Sequence, residues 1–299
     1  MKRSILGVLL VLTFVAVGLA AAPPLTFTFS NVKANKTATE TDSYGINNLE
    51  AIAGDYVDAK GVQHGMILAG KKLTTANKSD CQTTGTLAGS IAFYALNSAG
   101  AAVGWCASTK TGLDEGFVYS GGKFTTVSFP KSNGTQATGI NDKGEVVGLY
   151  LDSTNATHGF LKKGTKYTSI DVKGDTNADA YGINNAGDIT VFAINSSGSY
   201  DSFIYNGKTF KKVGYPNAAP PGSVAHAVNN KGDVTGTYYD SAGDVHGWLL
   251  HGGKYYAFND PTGCKCDTRS DGINDSVVVV GRYSTTLGGA SIGFEAKTK

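Results

Sequence analysis

A segment of the form Gly-Ile-Asn recurs six times along this chain, ending at Asn47, Asn97, Asn141, Asn184, Asn229 and Asn274, with successive copies 43 to 50 residues apart. Seven residues beyond each asparagine stands Gly54, Gly104, Gly148, Gly236 or Gly281, and the fourth copy departs with Val191. Eighteen or nineteen residues beyond it stands Gly65, Gly116, Gly159, Gly247 or Gly293, and the fourth copy departs again with Ser202. The third copy displays the unit most plainly: ATGIN, the turn DKGE, VVGLYLD, the loop STNAT, HGFLKK, the turn GTK, and YTSIDV. Four short β-rich runs separated by Gly, Asn and Asp turns describe a four-stranded meander. A period near 45 residues with four strands per unit is that of a propeller blade.

The predicted fold is therefore all-β, a six-bladed β-propeller of four-stranded blades in one domain spanning residues 21–299. The repeats lie near 44–79, 93–130, 137–172, 180–216, 225–261 and 270–299. The sixth copy stops after its third strand, and LTFTFS at residues 25–30 has the pattern of the missing fourth. Pairing that segment into the last blade would seal the ring and leave no open edge. Forty glycines in 299 residues, with plentiful Tyr and Phe, suit short strands and tight turns. Ile46, Leu96, Ile140, Ile183, Val228 and Ile273 are expected to pack near the axis, and the small residue before each permits close approach of the next sheet. Each asparagine is expected to bond the backbone of its turn.

Three copies carry further matching pieces: GINDKGEVVGLYLD with HGFL, VNNKGDVTGTYYD with HGWL, and GINNLEAIAGDYVD with HGMI. In these the chain resembles the HAF-type extracellular repeats of exported bacterial proteins, over nearly the whole of residues 21–299. The fourth copy departs, reading GINNAGDITVFAIN with DSFI. The resemblance implies a secreted β-repeat protein and carries no catalytic residues with it.

Lys2 and Arg3 precede an apolar run from Ile5 to Leu19 and then small residues, the form of a secretory signal; cleavage after Ala20 fits the small-x-small rule. The run is shorter than the roughly 20 residues that span a bilayer. A secreted or periplasmic destination is expected, without a membrane span in the mature chain. Loss of Lys2 and Arg3 leaves equal numbers of acidic and basic residues, which disfavours nucleic acid as a partner. Four cysteines in an exported chain predict disulfides, and of three connectivities Cys81 to Cys106 with Cys264 to Cys266 is preferred. A single C-x-C without a second pair at ligand spacing argues against zinc. A monomer is expected.

His64, His158 and His246 occupy one repeat position on separate blades and cannot converge on a metal, so no metal site is assigned to them. Asp171, Asp175 and Asp179 form the densest acidic segment; it lacks EF-hand spacing but leaves calcium open. No other cofactor is indicated, and no nucleophile elbow, P-loop or zincin motif occurs.

Function must sit where the copies differ. Three residues before each asparagine stand Tyr44, Tyr94, Thr138, Tyr181, His226 and Asp271; five before stand Asp42, Ala92, Gln136, Asp179, Val224 and Arg269. In a propeller these positions meet at one mouth of the central channel. Asp42, Tyr44, Tyr94, Asp179, Tyr181, His226, Arg269 and Asp271 are the candidate ligand-binding residues, an aromatic lining with a few charges that suits a sugar or another small polar ligand. The expected function is that of a non-catalytic exported binding or scaffold module for a glycan, an envelope component or a protein. The alternative is a lyase or hydrolase in which His226 acts as general base with Asp271, Asp179 or Arg269 as its partner.

Overall fold

The computed structural model describes residues 25–81 and 91–299; the predicted signal segment lies outside them. Twenty-four strands form six four-stranded antiparallel sheets. A short strand β1 (Phe27–Val32) precedes the first blade, which consists of β2 (Glu40–Ile46), β3 (Ala51–Val57), β4 (Gln63–Ala69) and β5 (Lys72–Ala76). The second contains β6 (Ala92–Leu96), β7 (Ala102–Ala107), β8 (Asp114–Ser120) and β9 (Lys123–Val127). The third contains β10 (Gly134–Ile140), β11 (Val146–Leu151), β12 (Thr157–Lys163) and β13 (Lys166–Ile170). The fourth contains β14 (Asn177–Ile183), β15 (Ile189–Ile194), β16 (Tyr200–Tyr205) and β17 (Phe210–Val213). The fifth contains β18 (Ser223–Val228), β19 (Val234–Tyr239), β20 (Val245–His251) and β21 (Lys254–Phe258). The sixth contains β22 (Thr268–Ile273), β23 (Val278–Ser284) and β24 (Ser291–Thr298), and β1 supplies its outermost strand. The chain is a six-bladed β-propeller, and its innermost strands begin one to four residues earlier than the repeat boundaries expected from sequence.

Closure uses the N-terminal segment, two residues later than its expected span. Phe27 lies opposite Thr298 and Val32 opposite Gly293. Phe27 and Phe29 point to one face and pack on Phe258, their ring centroids 4.6 and 6.1 Å from it. The strand runs on to Val32 because that residue is buried in the joint with the first blade, beside Ile46 and Ile52.

The side chain after the third-strand glycine fills each joint between blades. Met66, Phe117, Phe160, Trp248 and Phe294 are fully buried there. The glycine before each leaves no room for a Cβ: one on Gly116 would lie 3.2 Å from the amide nitrogen of Ala137 in the next blade, and one on Gly247 would overlap the Phe258 ring. In the fourth blade Ser202 occupies that place and turns the contact into hydrogen bonds. Its hydroxyl donates to Ser223 O and accepts from Ala225 N, both at 3.0 Å. The departure noted in the sequence is thus a different way of joining two blades.

Around the axis the asparagines do more than close their turns. Asn141 Oδ1 accepts from the amides of Lys143 and Glu145, as expected of a turn-capping residue. Its Nδ2 also donates to Asn184 O in the next blade. The same link runs from Asn47 to Asn97, Asn97 to Asn141, Asn184 to Asn229, Asn229 to Asn274 and Asn274 back to Asn47, all six at 3.0 to 3.2 Å. This closed belt ties every blade to the next where the inner strands end. The buried ring of Ile46, Leu96, Ile140, Ile183, Val228 and Ile273 lies beside it and narrows the channel.

Both expected disulfides are present, Cys81–Cys106 with Cα atoms 5.6 Å apart and Cys264–Cys266 with Cα atoms 5.1 Å apart. The repeated histidines are braces on the outer part of their blades. His158 Nε2 lies 3.3 Å from Asp152 Oδ2 and Nδ1 lies 2.6 Å from Asp171 Oδ1. His64 joins Asp58 to Asn77 and His246 joins Asp240 to Asn259 in the same way. Each therefore pins the loop before the third strand to the residue after the fourth.

Candidate ligand-binding site

Each innermost strand contains a β-bulge, and the bulge decides what reaches the channel. The ladder pairs Ser43 with Gly54 and Gly45 with Ala53, leaving Tyr44 unpaired between them. The same break leaves out Tyr94, Thr138, His226 and Asp271. A bulge adds one residue to one strand and re-aims its side chain. The glycine seven residues beyond the asparagine makes room for it. A Cβ on Gly54, Gly104, Gly148, Gly236 or Gly281 would overlap the carbonyl oxygen of Asp42, Ala92, Gln136, Val224 or Arg269 respectively. Val191 in the fourth blade has such a Cβ, and there the break widens from Ala180 to Ile183, leaving out both Tyr181 and Gly182. Thr190 Oγ1 accepts the freed amide of Gly182 at 2.8 Å and donates to His226 O at 2.9 Å.

The six bulge residues converge on one mouth of the channel, around a cavity of about 470 Å³. One wall is aromatic: Tyr44 and Tyr94 are stacked with centroids 4.7 Å apart, and Tyr94 is stacked on Trp105 at 6.2 Å. Tyr181 stacks on His226 at 5.4 Å. Leu149 and Leu151 add an apolar side. Toward the belt the channel narrows to spaces of about 90 and 80 Å³, so the cup has a floor.

Of the eight candidate residues, Tyr44, Tyr94, Asp179, Tyr181, His226 and Asp271 line this cup. Asp42 stands behind it and accepts from the Tyr44 hydroxyl at 3.1 Å. Arg269 is a correction. Its Nε is drawn to Asp267 Oδ1 at 2.9 Å, on the same face two residues back, and it does not line the cavity. The guanidinium at the cup belongs instead to Arg282, directly opposite Arg269 in the ladder. Sequence reasoning missed Arg282 and Trp105, which lie eight residues beyond their asparagines on the second strand. The signal was available: that position reads Asp55, Trp105, Leu149, Phe192, Thr237 and Arg282, as variable as the two positions chosen.

The electrostatics divide the cup in two. Asp271 Oδ1 lies 2.7 Å from His226 Nδ1, and Asp271 Oδ2 lies 3.4 Å from Arg282 Nη1. Burial opposes ionisation of Asp271, but Arg282 and His226 together hold it below the usual carboxylate range. Arg282 also lies over the Tyr44 ring at 5.1 Å and 3.9 Å from Asp42 Oδ1. Burial, and next the charge of Asp42, push Asp55 well above the usual range; Gln63 donates to its Oδ2 at 2.6 Å. Burial raises Asp179 to about 6, offset only in part by the Tyr181 hydroxyl at 3.4 Å. Burial likewise lifts the phenols of Tyr44, Tyr94 and Tyr181, so all three remain hydrogen-bond donors across the physiological range.

The acidic segment considered for calcium is split by the fold. Asp171 is bonded to His158 on the outer part of the third blade, whereas Asp179 lies in the cup. Among the described residues no cluster of three His, Cys, Asp or Glu side chains could hold a metal ion. No helix of the described residues is long and apolar enough to cross a membrane.

The chain matches no family model and no curated protein sequence. Among solved structures it is similar to the fucose-specific lectin from Aleuria aurantia, at 12% identity over 89% of this chain and 96% of that one, TM-score 0.55. It is similar to the SapL1 lectin solved with alpha methyl fucoside, at 12% identity over 87% and 94%, TM-score 0.53. It is equally similar to a putative TolB from Agrobacterium tumefaciens, at 12% identity over 92% and 98%, TM-score 0.56. At such identities the likeness is one of fold, and a fold shared by lectins and a TolB does not choose between functions.

Proposed function

We propose that this chain is an exported saccharide-binding propeller whose ligand sits in the cup at the bulge-lined mouth of the channel. The observation that carries this is the convergence of six bulge residues, three tyrosines with Thr138, His226 and Asp271, on one walled cavity. Aromatic rings stacked along a cup offer the flat apolar face on which a pyranose lies, and carboxylates and phenols around it supply acceptors and donors for hydroxyls. The lectin names of the similar propellers agree with a glycan as ligand. The export segment, the paired cysteines and the HAF-type resemblance agree with a protein that meets its ligand outside the cytoplasm.

The test is a glycan array followed by calorimetry with the purified protein. Trp105→Ala and Tyr94→Ala should each weaken the best saccharide by about tenfold or more, given that aromatic contacts contribute roughly 1 kcal/mol beyond their buried area. A full array without binding, or binding unchanged in both variants, refutes the cup as the site.

A second reading rests on one contact. Asp271 holds His226 through Nδ1, while Nε2 has the Thr237 hydroxyl at 3.5 Å, and the residue lines the cup. An imidazole oriented by a carboxylate is the arrangement of a general base. Under this reading the protein would cleave its saccharide, and new reducing ends or unsaturated products would appear with the parent and vanish with His226→Ala. Binding without turnover decides for the module over the enzyme.

A further inference from the structure

The cup holds one carboxylate that the protein does not answer. Asp271 is matched by His226 and Arg282, and Asp42 has Arg282 nearby. Asp179 makes no ion pair among the described residues. Its Oδ2 has the Tyr181 hydroxyl at 3.4 Å, and its Oδ1 is buried without any hydrogen-bond partner. Across the ladder it faces Phe192, and Leu149, Leu151 and Gln136 line the cavity with it. Gln136 is spent on Asp114, to which it donates at 2.6 Å. An uncompensated carboxylate at an apolar wall costs stability, so its presence points to a group that arrives from outside.

We propose, building on the saccharide reading of the cup, that its preferred ligand is a sugar bearing a free primary ammonium, with Asp179 as the counter-ion. The ammonium would pair with the Asp179 carboxylate where it lines the cup, while its ring lies along the Tyr94 and Trp105 wall. Aromatic faces around the cup favour a cation as well, and Arg282 above Tyr44 already occupies one of them. A neutral sugar or an acetylated amine leaves this carboxylate without a charged partner. The position of Asp179 near pH 6 adds a signature: bound ammonium favours the ionised carboxylate, so affinity falls as pH drops through that value. The charged and titratable groups facing Asp179 across the cup are His226, Asp271 and Arg282, with the phenols of Tyr44, Tyr94 and Tyr181.

The experiment compares 6-amino-6-deoxyglucose, whose amine stays protonated at pH 7.5, with its N-acetylated counterpart and glucose by calorimetry at pH 7.5 and pH 5, with the parent, Asp179→Asn and Trp105→Ala. The expected result is about tenfold or greater preference for the free amine at pH 7.5, the scale of one charged hydrogen bond. That preference shrinks at pH 5 and disappears in Asp179→Asn, whose melting temperature should not fall because an unpaired buried charge has been removed. An amine that binds no tighter than its acetylated form, or a preference that survives in Asp179→Asn, overturns the inference. If neutral saccharides still bind and lose affinity with Trp105→Ala, the cup reading stands while the amine falls; if no saccharide binds, both fall.

Discussion

Replacing Asn141 by Ala tests the belt that closes the ring. The substitution removes Nδ2 as donor to the buried carbonyl of Asn184 and to Glu145 Oε2, and Oδ1 as acceptor of two turn amides. Asn184 O keeps the Gly187 amide as a donor, so loss of the interblade bond costs about 0.5–1.5 kcal/mol, and each turn bond about 0.5–1 kcal/mol because water replaces part of it. The total is about 2–3 kcal/mol, which for a domain of this size lowers the melting temperature by roughly 4–5 °C. Scanning calorimetry of Asn141→Ala, Asn141→Asp and Asn274→Ala separates the components. Aspartate keeps the acceptor but loses the donor and sets a charge against Asn184 O and Glu145, so it should cost at least as much as alanine. Asn274 donates to Asn47 O across the joint where the chain's two ends meet, and its loss should match that of Asn141. A drop below 2 °C for Asn141→Asp would show that the interblade donor contributes nothing. A normal cost at Asn141 with none at Asn274 would show an open ring.

Gly236→Ala puts a methyl against Val224 O beneath the bulge that presents His226; it should flatten that bulge or destabilise the fifth blade by 2 kcal/mol or more, readable as lost saccharide affinity or a lower melting temperature. Removing Cys81–Cys106 opens a loop with 25 residues of separation, and loop entropy puts the loss at about 3.5 kcal/mol against roughly a third of that for Cys264–Cys266; guanidinium melts of the two paired Ser variants should preserve this order. The His158 brace should depend on pH. Despite opposition from burial, Asp171 and Asp152 raise His158 above 6.5, so its contribution is full below 6.5 and is lost as pH rises through the higher folded value. Bonds from Thr154 first, and also from His158, lower Asp152 from 3.8 to about 2, so its contribution is present above 3.8 and fades as pH falls toward 2. The melting deficit of His158→Ala relative to the parent should therefore be greatest near pH 5 and smaller at pH 8.5; a deficit flat across that range refutes the ionic brace.

The repeat alone determined the number of blades, the four strands in each and the use of the N-terminal strand for closure, because a glycine in a turn or at a crossing is a local steric requirement that recurs in every copy. It also located the mouth at Tyr44, Tyr94, Tyr181, His226 and Asp271, since residues free to differ within a constant scaffold are those the scaffold does not need. What it left undecided depends on neighbours distant in the chain. That Tyr44 is a bulge residue follows from pairing with the second strand, and that the asparagines form a belt follows from carbonyls some 45 residues onward. Arg269 and Arg282 are the clearest instance: both are cations at variable positions facing each other across one ladder, and the local sequence, with Asp267 and Asp271 each two residues from Arg269, does not say which arginine enters the cup. Asp267 beside one and Asp271 with Asp42 around the other decided it, because a charge settles where the folded chain places its counter-charges.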